Sequence, residues 1–371
     1  MTKVMKSPKS VDILFTSRCN LSCKYCSNST GDIPEDLPVS EWIQFIEELG
    51  RNSVLNIGIG GGEPFIRDDL TELIESIVKN RMRYTIVSNG SLITESIASF
   101  IASTGRCDSI QISIDGSHSQ PHDVFRGKGS FYGAISGLEC LRKQGIAVGV
   151  RVTIHRKNVT DLDNIAQFLL DDLKLPRFST NAASFFGECR MNSEEVQLTV
   201  ADRVLAMNTL LRLSDRYSNR ISASAGPLAE ARRWHQMEMA RQTDAVSFPG
   251  AGCLSACGGV YSLIAVRSDG IIIPCSQMTH IELGRINHSD FRETWQYHPY
   301  LERLRNRVAT PLSDFQFCKG CEYIPYCRGN CPALAYTLTG EENHPSPDAC
   351  LKRFLESGGS IPALLNEKEA R

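Results

Sequence analysis

The chain has no apolar run long enough to cross a bilayer, and its first residues, Met1-Thr-Lys-Val-Met-Lys6, are too polar for a secretion signal. A cytoplasmic protein without membrane attachment is expected. Charge of one sign is also missing. Forty Lys and Arg against 42 Asp and Glu leave a net charge of −2, which argues against non-specific nucleic-acid binding and gives no membrane signal. There are no internal repeats and no low-complexity segments. What remains is the composition of a soluble globular protein, 42% hydrophobic and 22% charged over 371 residues. That length is enough for two domains with cores of their own.

Fourteen cysteines without a secretion signal point to metal or cluster ligation in a reducing compartment rather than to disulfides. They are unevenly placed. Three lie in the first 26 residues and eight from Cys253 onward, with only Cys107, Cys140 and Cys189 between. This distribution predicts two cluster-binding regions separated by a scaffold.

The first group, Cys19, Cys23 and Cys26, has the spacing C-x3-C-x2-C. Three thiolates can hold three irons of a [4Fe–4S] cluster and leave the fourth open, whereas ordinary zinc and cluster sites supply four protein ligands. A zinc knuckle is the other reading. It needs a distant fourth ligand, because no His or Cys lies between Cys26 and Cys107. With Asn20 after the first Cys and Tyr25 before the third, the segment resembles the radical SAM enzymes, in which S-adenosylmethionine (SAM) chelates the open iron.

From residue 11 to about 220, short apolar runs alternate with amphipathic stretches. Strands are expected at 11–16, 54–59, 84–88, 109–113, 148–153 and, more weakly, 177–180. Helices are expected between them, with Ser40, Asp68 and Thr94 as caps, and further helices near 130–144, 162–170 and 198–217. Strand–helix alternation implies a parallel sheet with crossover helices. Six units make a partial (β/α)6 barrel the expected α/β fold, with an open doubly wound sheet as the alternative. A connector, 223–252, contains one helix near 227–241. Beyond Cys253 the signals are a hairpin, 261–266 with 270–273, and then loops and short helices. Such a region depends on its metal sites to fold. The expected domains are a core at 8–222, the connector, a loop-rich cluster domain at 253–355 and a tail at 356–371.

In a parallel barrel, reactive groups gather at the C-terminal ends of the strands. The Cys triplet follows strand one, Gly60-Gly61-Gly62-Glu63-Pro64 strand two and Ser88-Asn89-Gly90 strand three. Ser113-Ile114-Asp115-Gly116 ends strand four, and Thr153, two after Arg151, ends strand five. Glycines let the backbone approach a ligand closely. A dinucleotide loop is the competing reading of the glycine run, but the spacing lacks G-x-G-x-x-G. In radical SAM proteins a GGE motif meets the SAM amino group, and Gly61, Gly62 and Glu63 match it. By that resemblance Ser88, Asn89, Ser113 and Arg151 are candidates for the ribose and the SAM carboxylate. A salt-bridged barrel arginine is the plainer account of Arg151.

The C-terminal cysteines read Cys257-x12-Gly270-x4-Cys275, then Cys318-x2-Cys321-x5-Cys327-x3-Cys331, then x18 to Cys350. These spacings resemble the SPASM domain, an auxiliary-cluster domain of radical SAM enzymes. With Cys253 there are eight, enough for two [4Fe–4S] clusters. The resemblance implies Cys253, Cys257, Cys275 and Cys331 for the first and Cys318, Cys321, Cys327 and Cys350 for the second. Without Cys253 the first cluster would have an open iron for substrate; with it, both are closed and suited to electron transfer. Paired structural zinc sites are the alternative.

Asp115, Arg126 and Arg151 are candidates to face substrate. Asp115 could act as general base or simply order the loop before Gly116. His118 and His122 are expected in a solvated loop because Pro121 interrupts a helix there. Cys140 is assigned to the core and Cys189 to inert burial. Arg303 to Arg307 is assigned to a solvated helix face.

The resemblance implies three [4Fe–4S] clusters, cleavage of SAM to a 5′-deoxyadenosyl radical, and hydrogen abstraction from a substrate C–H bond to give an oxidised or cross-linked product. SPASM-bearing enzymes mostly modify ribosomally made peptides, so a peptide or small-protein substrate is expected. A flavodoxin- or ferredoxin-like electron donor is implied too. Many peptide maturases carry an N-terminal recognition domain, and with 18 residues before Cys19 here a separate recognition protein or a short, directly bound substrate is expected. Ser276 stands where sulfatase-maturing relatives have Asp, which disfavours formylglycine formation. Oxidation of a small molecule, tetrapyrrole or sugar is the second expectation, and a non-catalytic electron carrier or scaffold the third.

Overall fold

The computed structural model describes residues 4–28 and 35–363. Residues 364–371 of the expected tail lie outside that range. Ten strands follow in chain order: β1 Ser10–Thr16, β2 Asn56–Gly61, β3 Arg83–Ser88, β4 Cys107–Ser113, β5 Val148–Ile154, β6 Phe178–Ala182, β7 Ile221–Ala223, β8 Leu263–Val266, β9 Ile271–Ile273 and β10 Gly284–Arg285. The described residues form two compact units. One comprises Met1–Ser113, Arg126–Gly149 and Cys257–Asn306; the other comprises Ile114–Phe125, Val150–Ala256 and Arg307–Arg371.

In the first unit the strand order is β10-β9-β8-β1-β2-β3-β4. The pairs from β8 to β4 are parallel, and β9 and β10 are added antiparallel. The helices Val39–Arg51, Leu70–Lys79 and Glu95–Thr104 are the crossovers that parallel pairing demands. Their apolar faces, led by Trp42, Phe45, Leu73 and Ile101, are fully buried. Val11, Ile13, Ile57, Ile59 and Ile86 are also buried. The hairpin around residue 270 forms as expected. Its first strand also pairs in parallel with β1, which no local pattern announced.

In the second unit β5, β6 and β7 are parallel. The helix Val200–Arg216 starts from a capping box, in which the Thr199 hydroxyl accepts from the Asp202 N–H and the Asp202 carboxylate accepts from the Thr199 N–H. The helix Pro227–Gln242 forms as expected. Residues 307–363 are loops and short helices around a small core of Leu254, Leu312 and Cys318.

Several expectations need correction. Ser40 lies inside the first helix, whose N-cap is Pro38, and Asp69 rather than Asp68 precedes the second. Thr94 does cap, accepting from the Ile97 N–H at 3.3 Å. Residues Ser119–Arg126 are a helix rather than a solvated loop. Pro121 sits in its first turn, where its missing N–H costs nothing. His122 is buried and its Nδ1 accepts from the Asp115 N–H at 3.1 Å, while His118 is exposed. Arg305 and Arg307 are not solvated. Arg305 is buried and donates to the Val260 and Trp295 carbonyls at 2.9 and 2.7 Å, and Arg307 donates to the Ser255 and His344 carbonyls.

Candidate functional site

Just beyond β1 the chain turns out to carry Cys19, Cys23 and Cys26. The Cys26 N–H returns to the Cys23 carbonyl at 3.0 Å, and the Leu21 N–H points at the Cys19 sulfur at 3.4 Å. Polar residues ahead of the loop fix its start. Thr16 and Arg18 both donate to Asp36 at 2.8 Å, and buried Arg67 donates to the Phe15 and Leu37 carbonyls at 2.9 and 3.2 Å. Asp36 and Arg67 belong to no motif, so nothing in the sequence singled them out.

The end of β2 packs directly on this loop. The Gly62 N–H donates to the Thr16 carbonyl at 2.8 Å and the Glu63 N–H to the Arg18 carbonyl at 2.9 Å. A Cβ at Gly62 would lie 2.0 Å from the Arg18 oxygen, and one at Gly61 2.2 Å from the Thr16 oxygen, with Gly61 at φ +129°. Only glycine fits either position. This explains the glycines by close backbone approach and positions Glu63 beside the Cys loop.

The Glu63 carboxylate is fully buried. Its Oε1 accepts from Ser88 Oγ at 2.8 Å and from the Phe65 N–H at 3.3 Å, and its Oε2 from the Asn89 N–H at 2.7 Å. Burial pushes its carboxyl above the ordinary carboxylate range; the Asn89, Ser88 and Phe65 donors and the Arg126 guanidinium pull it back. Glu63 and Cys26 both act electrostatically on Cys19. Ser88 is therefore a buried support for Glu63, with its Oγ also accepting from the Gly90 N–H at 2.8 Å. The Asn89 side chain donates to Asn20 Oδ1 at 2.9 Å and reaches 4.0 Å from the Cys19 sulfur, and Asn20 donates to Ser91 Oγ at 2.8 Å. The Asn20–Asn89–Ser91 bridge between loop and strand was missed from sequence, although the placing of Asn20 after Cys19 signalled part of it. Arg126 is buried over the Tyr25 ring at 5.4 Å. Ser113, at the end of β4, is half-buried. These residues all belong to the first unit.

In the second unit Asp115 is fully buried. Its Oδ1 accepts from the Thr153 N–H at 2.7 Å, and its carbonyl accepts from Asn158 at 2.8 Å. These bonds tie the Asp115 loop to the end of β5. Arg151, half-buried on β5, directs Nε to Ser179 Oγ at 3.4 Å, and burial lowers its pKa. No carboxylate ion pair of Arg151 is found among the described residues.

Four of the C-terminal cysteines act on one another electrostatically. Burial pushes the Cys318 thiol up to about 12, and Cys327, Cys321 and Cys350 add to the effect; Cys350 responds in turn to Cys327 and Cys321. These are the four cysteines that the resemblance to the SPASM domain grouped together. Thiols are the donors that an iron–sulfur cluster takes, although among the described residues no group of three or more possible ligands is placed to hold a metal ion. In the same unit, Cys253 bridges to Pro311, and Ser255 and Gly252 bond to the segment that carries Cys327 and Cys331. Cys257 and Cys275 belong to the first unit. Cys189 is buried, with a thiol pushed up to about 11 by burial, as an inert cysteine would be; Cys140 is only half-buried.

A family model for the Radical SAM superfamily matches residues 13–169, and one for an iron-sulfur cluster-binding domain, SPASM, matches 257–332. The pre-heme d1 synthase of Dinoroseobacter shibae is 30% identical over 377 residues, 95% of this chain and 88% of that protein. The chain belongs to the radical SAM superfamily. This radical SAM enzyme is also 26% identical to the mycofactocin maturase MftC of Mycolicibacterium smegmatis, over 95% of this chain and 84% of that one. Its fold is that of Streptococcus suis SuiB, solved with its precursor peptide SuiA, with a TM-score of 0.69 at 16% identity over 94% of this chain and 77% of SuiB. The fold is the partial (β/α)6 barrel of the superfamily followed by a SPASM domain. The cofactors are SAM and [4Fe–4S] clusters. No helix among the described residues is long and apolar enough to cross a membrane.

Proposed function

We propose that this enzyme abstracts a hydrogen atom from a ribosomally made peptide and leaves an oxidised or cross-linked product. The observation that carries the chemistry is the buried Glu63 carboxylate, fixed by Ser88 and Asn89 beside the loop of Cys19, Cys23 and Cys26. The peptide assignment is supported by the likeness to the mycofactocin maturase. When bound, the cluster and SAM supply a one-electron reductive cleavage that yields a 5′-deoxyadenosyl radical. The chain's residues bind, orient and shield. Cys19, Cys23 and Cys26 would hold three irons. Gly61 and Gly62 bring the backbone close, and Glu63 would accept from the SAM ammonium. Asn89, Ser113 and Arg151 are assigned to the rest of SAM by the family pattern. Arg126, stacked on Tyr25, keeps a positive charge near Glu63 and favours its ionised form.

Cys318, Cys321, Cys327 and Cys350 would hold one auxiliary cluster, and Cys253, Cys257, Cys275 and Cys331 the other. The first set is supported by the electrostatic coupling of its thiols, and both sets by the resemblance to the SPASM domain. We assign residues 8–222 to catalysis and 253–355 to the auxiliary clusters, a functional division that need not follow the packing units. A flavodoxin- or ferredoxin-like donor would supply electrons, and the peptide would bind directly or be delivered by a separate recognition protein.

A tetrapyrrole substrate is the second reading, favoured by the 30% identity to pre-heme d1 synthase. The test is anaerobic reconstitution, followed by SAM and dithionite with either the peptide encoded beside the gene or iron-coproporphyrin. Mass loss on the peptide, read by mass spectrometry, supports the first reading. A changed tetrapyrrole with an unchanged peptide supports the second. No 5′-deoxyadenosine at all would defeat both.

A further inference from the structure

The strands of the first unit have a second face that the cofactor residues leave unused. Val11 and Ile13 of β1 are fully buried on one side of the sheet, so Asp12 between them points to the other. Asp12 stands level with Gly58 on β2 and Ala265 on β8. Gly58 is level with Thr85 on β3, and Thr85 with Ser109 on β4. Partners in register share a face. The row Ala265, Asp12, Gly58, Thr85 and Ser109 therefore holds one carboxyl among small side chains. On the same face, nearer the Cys loop, Leu14 pairs with Gly60 and Val87 with Gln111. Val87 is 48% exposed, so this face is open rather than packed.

Glycine inside a strand weakens it and marks a place that something approaches closely. Gly58 and Gly60 place two such gaps on this face. A methyl group at Gly58 would come within 2.2 Å of Asp12 Oδ1, so the absent side chain is what gives the carboxyl its room. No hydrogen-bond or ion-pair partner of that carboxyl is found among the described residues, and burial raises its pKa to about 6. It is thus largely ionised at neutral pH. A partly desolvated carboxylate without a counter-charge is costly, and its row contains no cation.

We propose that Asp12 anchors the substrate by accepting charge-assisted hydrogen bonds from a cationic nitrogen, the ammonium or guanidinium of a Lys or Arg side chain. The inference rests on the peptide reading above. Asp12 precedes Thr16 by four residues, about 13 Å along the strand. The anchored nitrogen therefore lies deeper than the Cys loop, at a depth that a long side chain reaches. Asp12 is a positioning residue and takes no part in electron or hydrogen transfer.

The test uses the reconstituted full chain with SAM and the probe agmatine, a guanidinium on a four-carbon stem, with its neutral urea isostere N-carbamoylputrescine blocked at the amine as control. Binding is read by saturation-transfer NMR. Agmatine, blocked likewise, is expected to bind the wild type and to bind D12N at least about tenfold more weakly, with the urea isostere weak on both. In G58A the added methyl crowds the carboxylate, and the same weakening is expected. Should D12N fail to fold, judged by circular dichroism, G58A carries the test. Equal agmatine binding by wild type and variants, no binding by the wild type, or equal binding of guanidinium and urea would overturn the proposal. Binding of the probe is read without turnover. A failure of the peptide reading would instead show as an unmodified peptide in the mass-spectrometric test.

Discussion

At the scale of single residues, the site depends on how Glu63 is held. Removing its charge should cost the interaction with the SAM ammonium while leaving every thiolate in place. E63Q is therefore expected to keep its iron content and lose roughly 10- to 100-fold in SAM affinity, the worth of a charged hydrogen bond of about 1.5–3 kcal/mol. Iron analysis and equilibrium SAM binding read the two separately. The pH dependence follows in sign. Burial raises the Glu63 pKa, so it protonates earlier on acidification than an ordinary carboxyl, and SAM binding should weaken in mild acid before exposed carboxylates titrate. An SAM titration at stepped pH, compared with E63Q, checks this; a flat difference would refute it. The residues legible in the sequence here were those whose chemistry dictates their type. Thiolates must be Cys, and the glycines must be Gly because a Cβ would strike the Thr16 or Arg18 carbonyl. Ser88 was legible as a polar strand end, but its partner was not, since its hydroxyl points at a residue 25 positions away.

At the scale of elements, hydrophobic alternation found β1 to β6, with edges shifted by a residue or two. It gave no sign of half-buried charge clusters. Arg203, Glu230 and Asp348 form such a cluster, with Arg203 Nε 3.0 Å from Glu230 and its Nη2 3.4 Å from Asp348. Burial is the larger influence on Glu230 and raises its pKa to about 7, against the pull of Arg203. The folded state therefore binds a proton that the unfolded state releases near its ordinary pKa of 4.5. This contribution to stability is full below about pH 4.5 and is lost as pH rises through about 7. The difference in melting temperature between wild type and E230Q should shrink over that interval, as read by differential scanning fluorimetry. Arg305 makes a parallel case. Its basic helix looked like a solvated face because Lys and Arg usually are, yet its guanidinium donates to three backbone carbonyls, those of Val260, Trp295 and Gln296. R305A should destabilise by about 2–4 kcal/mol in urea unfolding, since three carbonyls lose their guanidinium donor.

At the scale of the whole molecule, the cysteine count makes the sharpest forecast. Three clusters require about twelve irons per chain. C327A is expected to lose about four of them yet to keep 5′-deoxyadenosine release from SAM with dithionite, because the thiolates beside Glu63 are untouched. Product formation should fall. Loss of all iron in C327A would show instead that the auxiliary site is required for folding. The two groups of cysteines were readable from spacing because ligand spacing is local. The pairing of β8 with β1 was not, because it joins segments some 250 residues apart and parallel pairing leaves no turn signature in the chain.

That pairing has a temporal consequence. β1 leaves the ribosome long before β8 and ends three residues before Cys19, but one of its two edges stays bare until Leu263–Val266 has been made. An unpaired strand edge invites association with other chains. The nascent enzyme thus carries its first three thiols on an unfinished strand for most of its synthesis. A chain stopped at residue 252 would keep Cys19, Cys23, Cys26 and Glu63 and should still aggregate.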